Sequence, residues 1–281
     1  MKTHEGEFPV AAMCRILDVT RSGYDAWKRR GERPRDAENR RLDADIRRLF
    51  DLHQVRYGAP RLTWEWREKG WTVSRQRVAK RSRALGWRAR AARKYKATTQ
   101  SQHGLPVAPN RLGQDFTAFA PNRSWTSDIT YLWTEEGWLY LAVVMDRYSR
   151  TLVGWAMAER MTRERVMSAL TLAVWRRRPE PGVVVHSDRG RQYASGDYQG
   201  LLETHGFLCR MSRKGDCYDN AAMESFFHSL KVEQVNDCRY RTREEAKADV
   251  FEYIETYYNA VRRHSTLNDL SPRDFEERRS A

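Results

Sequence analysis

Three carboxylates stand where they could do chemistry together: Asp128, Asp188 and Glu224. Asp128 lies in the run Ser124 to Leu132, whose β-branched and aromatic residues favour a strand. Asp188 follows the apolar run Val183 to Val185, with His186 and Ser187 between. Glu224 lies in a helix-like run from Asp219 to Glu233, with 35 residues separating it from Asp188. A hard cation such as Mg²⁺ takes oxygen ligands and keeps several waters, so one or two carboxylates per ion suffice. Two such ions about 3.5–4 Å apart can activate an attacking oxygen and stabilise a leaving one, which suits phosphodiester chemistry. Without cations, three converging carboxylates would repel one another. Two strands and a helix must therefore bring them together.

The surrounding pattern supplies such elements. Residues 124–133, 138–146 and 151–157 read as three strands joined by short turns at Glu135 to Gly137 and Arg147 to Arg150. Short connections make them antiparallel neighbours. Thr162 to Arg178 reads as a helix stopped before Pro179. Val183–Val185 is wholly apolar, as expected of a strand in a sheet centre covered on both faces. A helix near 195–205, a strand near 207–211, the Glu224 helix and a helix over 243–259 follow.

The first third differs. Residues 1–100 hold 26 Lys and Arg against 12 Asp and Glu, whereas residues 101–281 hold 25 of each. The whole net charge of +14 thus lies in one segment, the footprint of a nucleic-acid binder. Ala11–Leu17 and Arg21–Arg30 read as helix, turn and helix, with Thr20 as N-cap. Gly31 to Pro34 breaks the pattern. A longer helix is expected over Ala37–His53, with Leu42, Ile46, Leu49 and Phe50 on one face. A second helix-turn-helix pattern places Arg61–Lys69 before Gly70, then Ser74 as the cap of Arg75–Leu85. Val78 and Leu85 would face inward. Arg75, Gln76, Lys80 and Arg83 would face outward, where such a helix could enter a major groove. The basic tail Arg88–Lys96 adds phosphate-binding capacity. Residues 101–120 read as a linker.

On these motifs the chain resembles the OrfB type of insertion-sequence transposase, with a retroviral-integrase-like core. The residues that carry the resemblance are Trp125 to Tyr131 around Asp128, Asp146 to Arg150, His186 to Tyr193 around Asp188, Asp219 to Phe227 around Glu224, and Leu230 to Glu233. Tyr257 to Leu267 with Ser271-Pro272, Met13 to Val19, and Tyr57 to Arg61 also carry it. Arg191 departs from it, where a small polar residue is usual. The element order suits an α/β, ribonuclease H-like fold: a mixed five-stranded sheet with flanking helices, after an all-α helix-turn-helix region and before C-terminal helices. The expected divisions are a first helix-turn-helix-like segment (1–36), a basic DNA-binding domain (37–100), a linker (101–120), a catalytic core (121–236) and a C-terminal helical segment (237–281).

The resemblance implies a metal-dependent polynucleotidyl transferase. Asp128, Asp188 and Glu224 would hold two Mg²⁺ ions, with Mn²⁺ as a substitute. Water would be the nucleophile for cleavage and a DNA 3′-hydroxyl for joining. It also implies terminal inverted repeats and target DNA as partners, oligomers that pair two DNA ends, and an upstream OrfA product as fusion or partner. Lys231, two helical turns after Glu224, could reach DNA phosphates, or stay solvated. Asn220 could position DNA or cap its helix. Asp146 suits a turn better than a metal, and His186 could assist the site or only pack. The ten tryptophans read mostly as core, with no base-stacking role.

A catalytically inactive DNA-binding regulator and a host nuclease that cuts without joining are the rival readings. No run of about 18 apolar residues predicts a membrane span. Scattered cysteines and the lack of a secretory signal fit a reduced cytoplasm, and DNA as a partner places the chain at the nucleoid.

Overall fold

The computed structural model describes residues 1–31, 33–90, 118–188, 190–211 and 221–280. The chain forms two compact units, Met1–Ala89 and Arg90–Ala281.

The first unit is helical: α1 (Val10–Ile16), α2 (Arg21–Arg29), α3 (Pro34–Leu52), α4 (Ala59–Glu68) and α5 (Arg75–Ala84). Side-chain caps set two of the starts, where unpaired backbone N–H groups need acceptors. Thr20 Oγ1 accepts from Gly23 N at 3.1 Å, and Ser74 Oγ from Arg77 N at 3.2 Å. Gly70 and Gly86 end α4 and α5 with φ of +77° and +73°, a conformation costly for other residues. Helix α3 begins three residues before the expected Ala37, because Pro34 serves as its first residue rather than its breaker. Its apolar stripe is the expected one: Leu42, Ile46, Leu49 and Phe50 are buried.

The second unit is built on one sheet of order β3-β2-β1-β4-β5. Its strands are β1 (Ser124–Thr134), β2 (Gly137–Asp146), β3 (Leu152–Ala158), β4 (Val184–Ser187) and β5 (Leu208–Met211). The first three pair antiparallel; β4 pairs parallel with β1 and with β5. The centre of the sheet is β1, not the short apolar strand, and β4 runs on to Ser187, so it delivers the chain directly to Asp188. Helix α6 (Arg163–Arg177) lies on one face. It approaches so closely that a Cβ at Gly154 would meet Ala169 O at 2.1 Å. Trp125, Ala142, Val144, Leu170, Val185 and Leu202 belong to the core on this face, with α7 (Gly196–Thr204).

Helix α8 (Ala221–Glu233) packs against β1. Its far end is fixed by a buried ion pair. Arg262 donates from Nε and Nη2 to the two carboxylate oxygens of Glu233, at 2.7 and 2.6 Å, and from Nη2 to Ser229 Oγ at 2.8 Å. Tyr253 Oη also donates to Glu233, at 2.9 Å. The helix expected over 243–259 ends as α9 at Glu252, and a wider π-type turn, Tyr253–Tyr258, follows it. Asn259 then pairs with β3 like a strand, donating to Leu152 O and accepting from Leu152 N. The last helix, α10 (Pro272–Ser280), sends Glu276 to Arg177 of α6 and to the Ser149 hydroxyl. The C-terminal stretch is thus stitched to the sheet rather than merely appended.

Two outcomes follow. Glu233→Gln leaves Arg262 charged, buried and half-matched, so urea unfolding should register a loss of about 3–5 kcal/mol. Asp146 is fully buried at the end of β2, and its carboxyl is pushed up to about 6, first by burial. The folded state keeps that proton between about pH 4 and 6, where the unfolded chain releases it, so this group's stability contribution falls as pH rises through the window. Asp146→Asn cannot titrate, and wild type should lose about 3 kcal/mol relative to it between pH 4 and 7.

Candidate active site and nucleic-acid interface

Strand pairing places two of the three carboxylates. In the parallel ladder, Ser124, Trp125 and Thr126 face Val184, Val185 and His186, a constant offset of 60. Continued two residues past the last pair, that offset would bring Asp188, just beyond the end of β4, level with Asp128 in the middle of β1. Their side chains are locally restrained: Asp128 Oδ1 accepts from Ile129 N at 2.7 Å, and Asp188 Oδ1 from Gly190 N at 2.8 Å. A Cβ at Gly190 would lie 2.8 Å from Asp188 Oδ1, so a larger residue there would displace that carboxylate.

A buried hydroxyl reports both charges. Tyr193 Oη sits 3.2 Å from Ser127 Oγ. Burial, above all, and then the charges of Asp128 and Asp188 among others push this phenol well above its usual range.

Glu224 lies exposed in the first turn of α8. Among the described residues no three His, Cys, Asp or Glu side chains form a group that could hold a metal ion. The donor chemistry suits a hard divalent cation, and the two aspartates lie on β1 and just after its neighbour β4. The third carboxylate is carried on the helix that packs against the same strand, without closing a three-donor cluster.

The other expected residues are placed as follows. Asp146 is a turn anchor: it accepts from Asn122 N at 2.7 Å and Tyr148 N at 2.9 Å. His186 is buried, and Arg147 Nη1 donates to its Nε2 at 3.2 Å. Lys231 is half-buried with its ammonium 5.2 Å from the centre of the Tyr131 ring, and burial lowers its pKa. Asn220 lies outside the described residues. The tryptophans depart from expectation: Trp66 and Trp125 are fully buried, but Trp27, Trp64, Trp71, Trp133, Trp138 and Trp175 are exposed.

On α5, the basic residues divide by partner. Arg77 donates to Glu38 and Asn39, and Arg81 forms a two-pronged pair with Asp43, all on α3. Those pairs hold α5 on α3. Arg75, Gln76, Lys80 and Arg83 are exposed on the outer side and have no ion pair among the described residues. They are the residues with charge and hydrogen-bonding capacity to spare.

Comparison with known proteins gives the same outline. Residues 118–217 and 224–279 match two models of an integrase core domain, and residues 36–95 match an HTH-like domain. The chain is 48% identical over its whole length, and over 98% of the relative, to transposase InsF of insertion sequence IS3A from Escherichia coli K12. It belongs to the IS3-type insertion-sequence transposases. This transposase is also 45% identical, over 95% of its length and 98% of the relative, to a 31 kDa protein of insertion element IS600 from Shigella sonnei. Among solved structures, the HTLV-2 integrase catalytic core in complex with magnesium matches 56% of this chain and 97% of its own, at 14% identity and a TM-score of 0.41. Among the described residues no helix of the transposase is long and apolar enough to cross a membrane.

Sequence reasoning missed the exposed aromatic cluster at Tyr131, Trp133 and Trp138 and the Glu233–Arg262 pair. The cluster left a signal, aromatic residues alternating on both arms of one hairpin; the ion pair left none, because its partners are distant in the chain.

The division on α5 is testable. If Lys80 and Arg83 contact phosphates, changing each to Ala should weaken DNA binding across sequences and reduce the log–log salt slope by about one per residue. Arg81→Ala should instead lower the melting temperature of the helical unit.

Proposed function

We propose that this transposase cleaves the ends of its insertion sequence and joins them to target DNA at a site formed by Asp128, Asp188 and Glu224. The observation that supports this reading is the β1–β4 pairing, whose offset, carried two residues further, would set Asp188 level with Asp128, together with a helix that packs on β1 and carries Glu224 in its first turn. The three carboxylates would hold two Mg²⁺ ions, with Mn²⁺ as a substitute. Such ions supply charge stabilisation and a strong nucleophile in phosphoryl transfer. The chain's own part is to hold its oxygens at fixed places: Asp128 by the central strand, Asp188 by its turn to Gly190, and Glu224 by α8, tied at its other end to Arg262.

Substrate capture falls to other residues. Arg75, Gln76, Lys80 and Arg83 would read the terminal inverted repeats, with the first helix pair as an additional contact. Lys231 and Asn220 would steady the DNA end near the carboxylates. Two ends must be brought together before joining, so the active form is an oligomer on DNA. An upstream OrfA product, as a fusion or a partner, would complete it.

Incubation of end-labelled terminal-repeat DNA with Mg²⁺ or Mn²⁺ tests the reading. Joined products support it, cleavage alone indicates a nuclease, and a mobility shift without chemistry indicates a regulator. Asp128→Asn, Asp188→Asn and Glu224→Gln should each lower cleavage and joining by at least about a thousandfold, the behaviour of groups that act as one unit. The DNA mobility shift should survive in all three. Intact cleavage by Glu224→Gln would remove that residue from the site.

A further inference from the structure

The hairpin that carries Asp128 ends in an uncovered aromatic surface. Tyr131 and Trp133 of β1 stand opposite Tyr140 and Trp138 of β2, so all four point to one face of the sheet. Tyr131 meets Trp138 edge to face with centroids 5.0 Å apart, and Trp133 meets Trp138 at 4.8 Å. Tyr131, Trp133 and Trp138 nevertheless remain 52%, 59% and 44% exposed. A cavity of about 440 Å³ opens beside them, lined by Tyr131, Trp133, Lys231, Asn236 and Arg239 among others. Clustered aromatics on a soluble surface mark a binding site more often than isolated ones do.

Charge narrows the occupant. Lys231 reaches over the Tyr131 ring from α8 and has no acidic partner among the described residues. Arg239, by contrast, is paired with Glu135 at 2.7 Å. Flat ring faces beside one unneutralised cation suit a nucleobase with its phosphate. They do not suit intact duplex, whose bases are covered by their neighbours. Position agrees through α8. Tyr131 and Trp133 lie three and five strand residues beyond Asp128, on the opposite face of β1. Lys231, whose ammonium meets the Tyr131 ring, follows Glu224 by seven helix residues, about 10 Å along one helix face. The cation of this surface thus lies within roughly three nucleotides of Glu224.

Resting on the transposase reading above, we propose that Tyr131, Trp133 and Trp138, with Lys231, form a stacking platform for unpaired nucleotides at the DNA end being processed. Opening a terminal pair costs unstacking energy, and stacking on protein offsets the stacking lost in the DNA. The platform holds the end open and is indifferent to base identity.

The test uses the full chain and duplexes ending in the element's own terminus, with the metal withheld so that no strand is cut. 2-Aminopurine replaces a base within the last three positions, in either a paired or a mismatched end. Wild type should bind the mismatched end about tenfold more tightly than the paired one, the scale of one stacked base, and quench the probe there. The double variant Trp133→Ala, Trp138→Ala should lose that preference and the quenching while binding the paired end as wild type does. Trp133→Phe, which keeps a ring, should retain most of the preference and serves as the control for folding. Unchanged preference in the double variant overturns the proposal. So does an equal loss for both ends, or a changed sedimentation coefficient of the DNA-free double variant, which would make the surface a contact between copies. Failure of wild type to bind either end would remove the DNA reading itself, a result distinct from these.

Discussion

The constraint on which the rest depends is the parallel pairing of β4 with β1. A parallel ladder fixes which residues come level, and a slip of one residue would turn every side chain of β4 to the other face. Carried two residues past the ladder, the observed offset would bring Asp188 level with Asp128. The neighbouring elements serve that register. Trp125 and Val185 face each other in the ladder and share one core with α6 and α7, so slippage would expose apolar area. Gly154 lets α6 lie close enough to close that core.

The C-terminal stretch is held by charge. Glu233 ties the end of α8 to Arg262, Glu255 reaches Trp155 and Arg176, and Glu276 reaches Arg177. Buried pairs of this kind add little net stability over apolar packing, yet breaking one is costly, so they favour one arrangement over near alternatives. For a helix that carries Glu224 at its start, a fixed end is worth more than a few tenths of a kcal/mol. Most of the excess positive charge sits in the first unit, so the proposed capture of DNA and the proposed chemistry on it fall mainly to different units.

Much of this was legible in the sequence, and the reasons are physical. Alternating and apolar runs give strands, and caps such as Thr20 and Ser74 give helix starts, because both are local. The stripe Leu42, Ile46, Leu49 and Phe50 declared its buried face through helical spacing. Pro34 misled because proline both breaks a helix and begins one. The tryptophans misled because an alternating aromatic strand looks the same whether its outer face is covered or open; only the extent of α6 and its neighbours decides. The Glu233–Arg262 pair and the strand-like pairing of Asn259 bridge distant segments and leave no local trace. The register of β1 with β4 is also non-local and left no local trace.

The central claim is that Asp188, set level with Asp128 by this sheet, is a metal ligand. A thiolate prefers softer cations than a carboxylate does. Asp188→Cys should therefore fail to join element ends in Mg²⁺ and recover joining in Mn²⁺ or Cd²⁺, measured on labelled terminal-repeat DNA. Joining by Asp188→Cys in Mg²⁺ at the wild-type rate would contradict the claim.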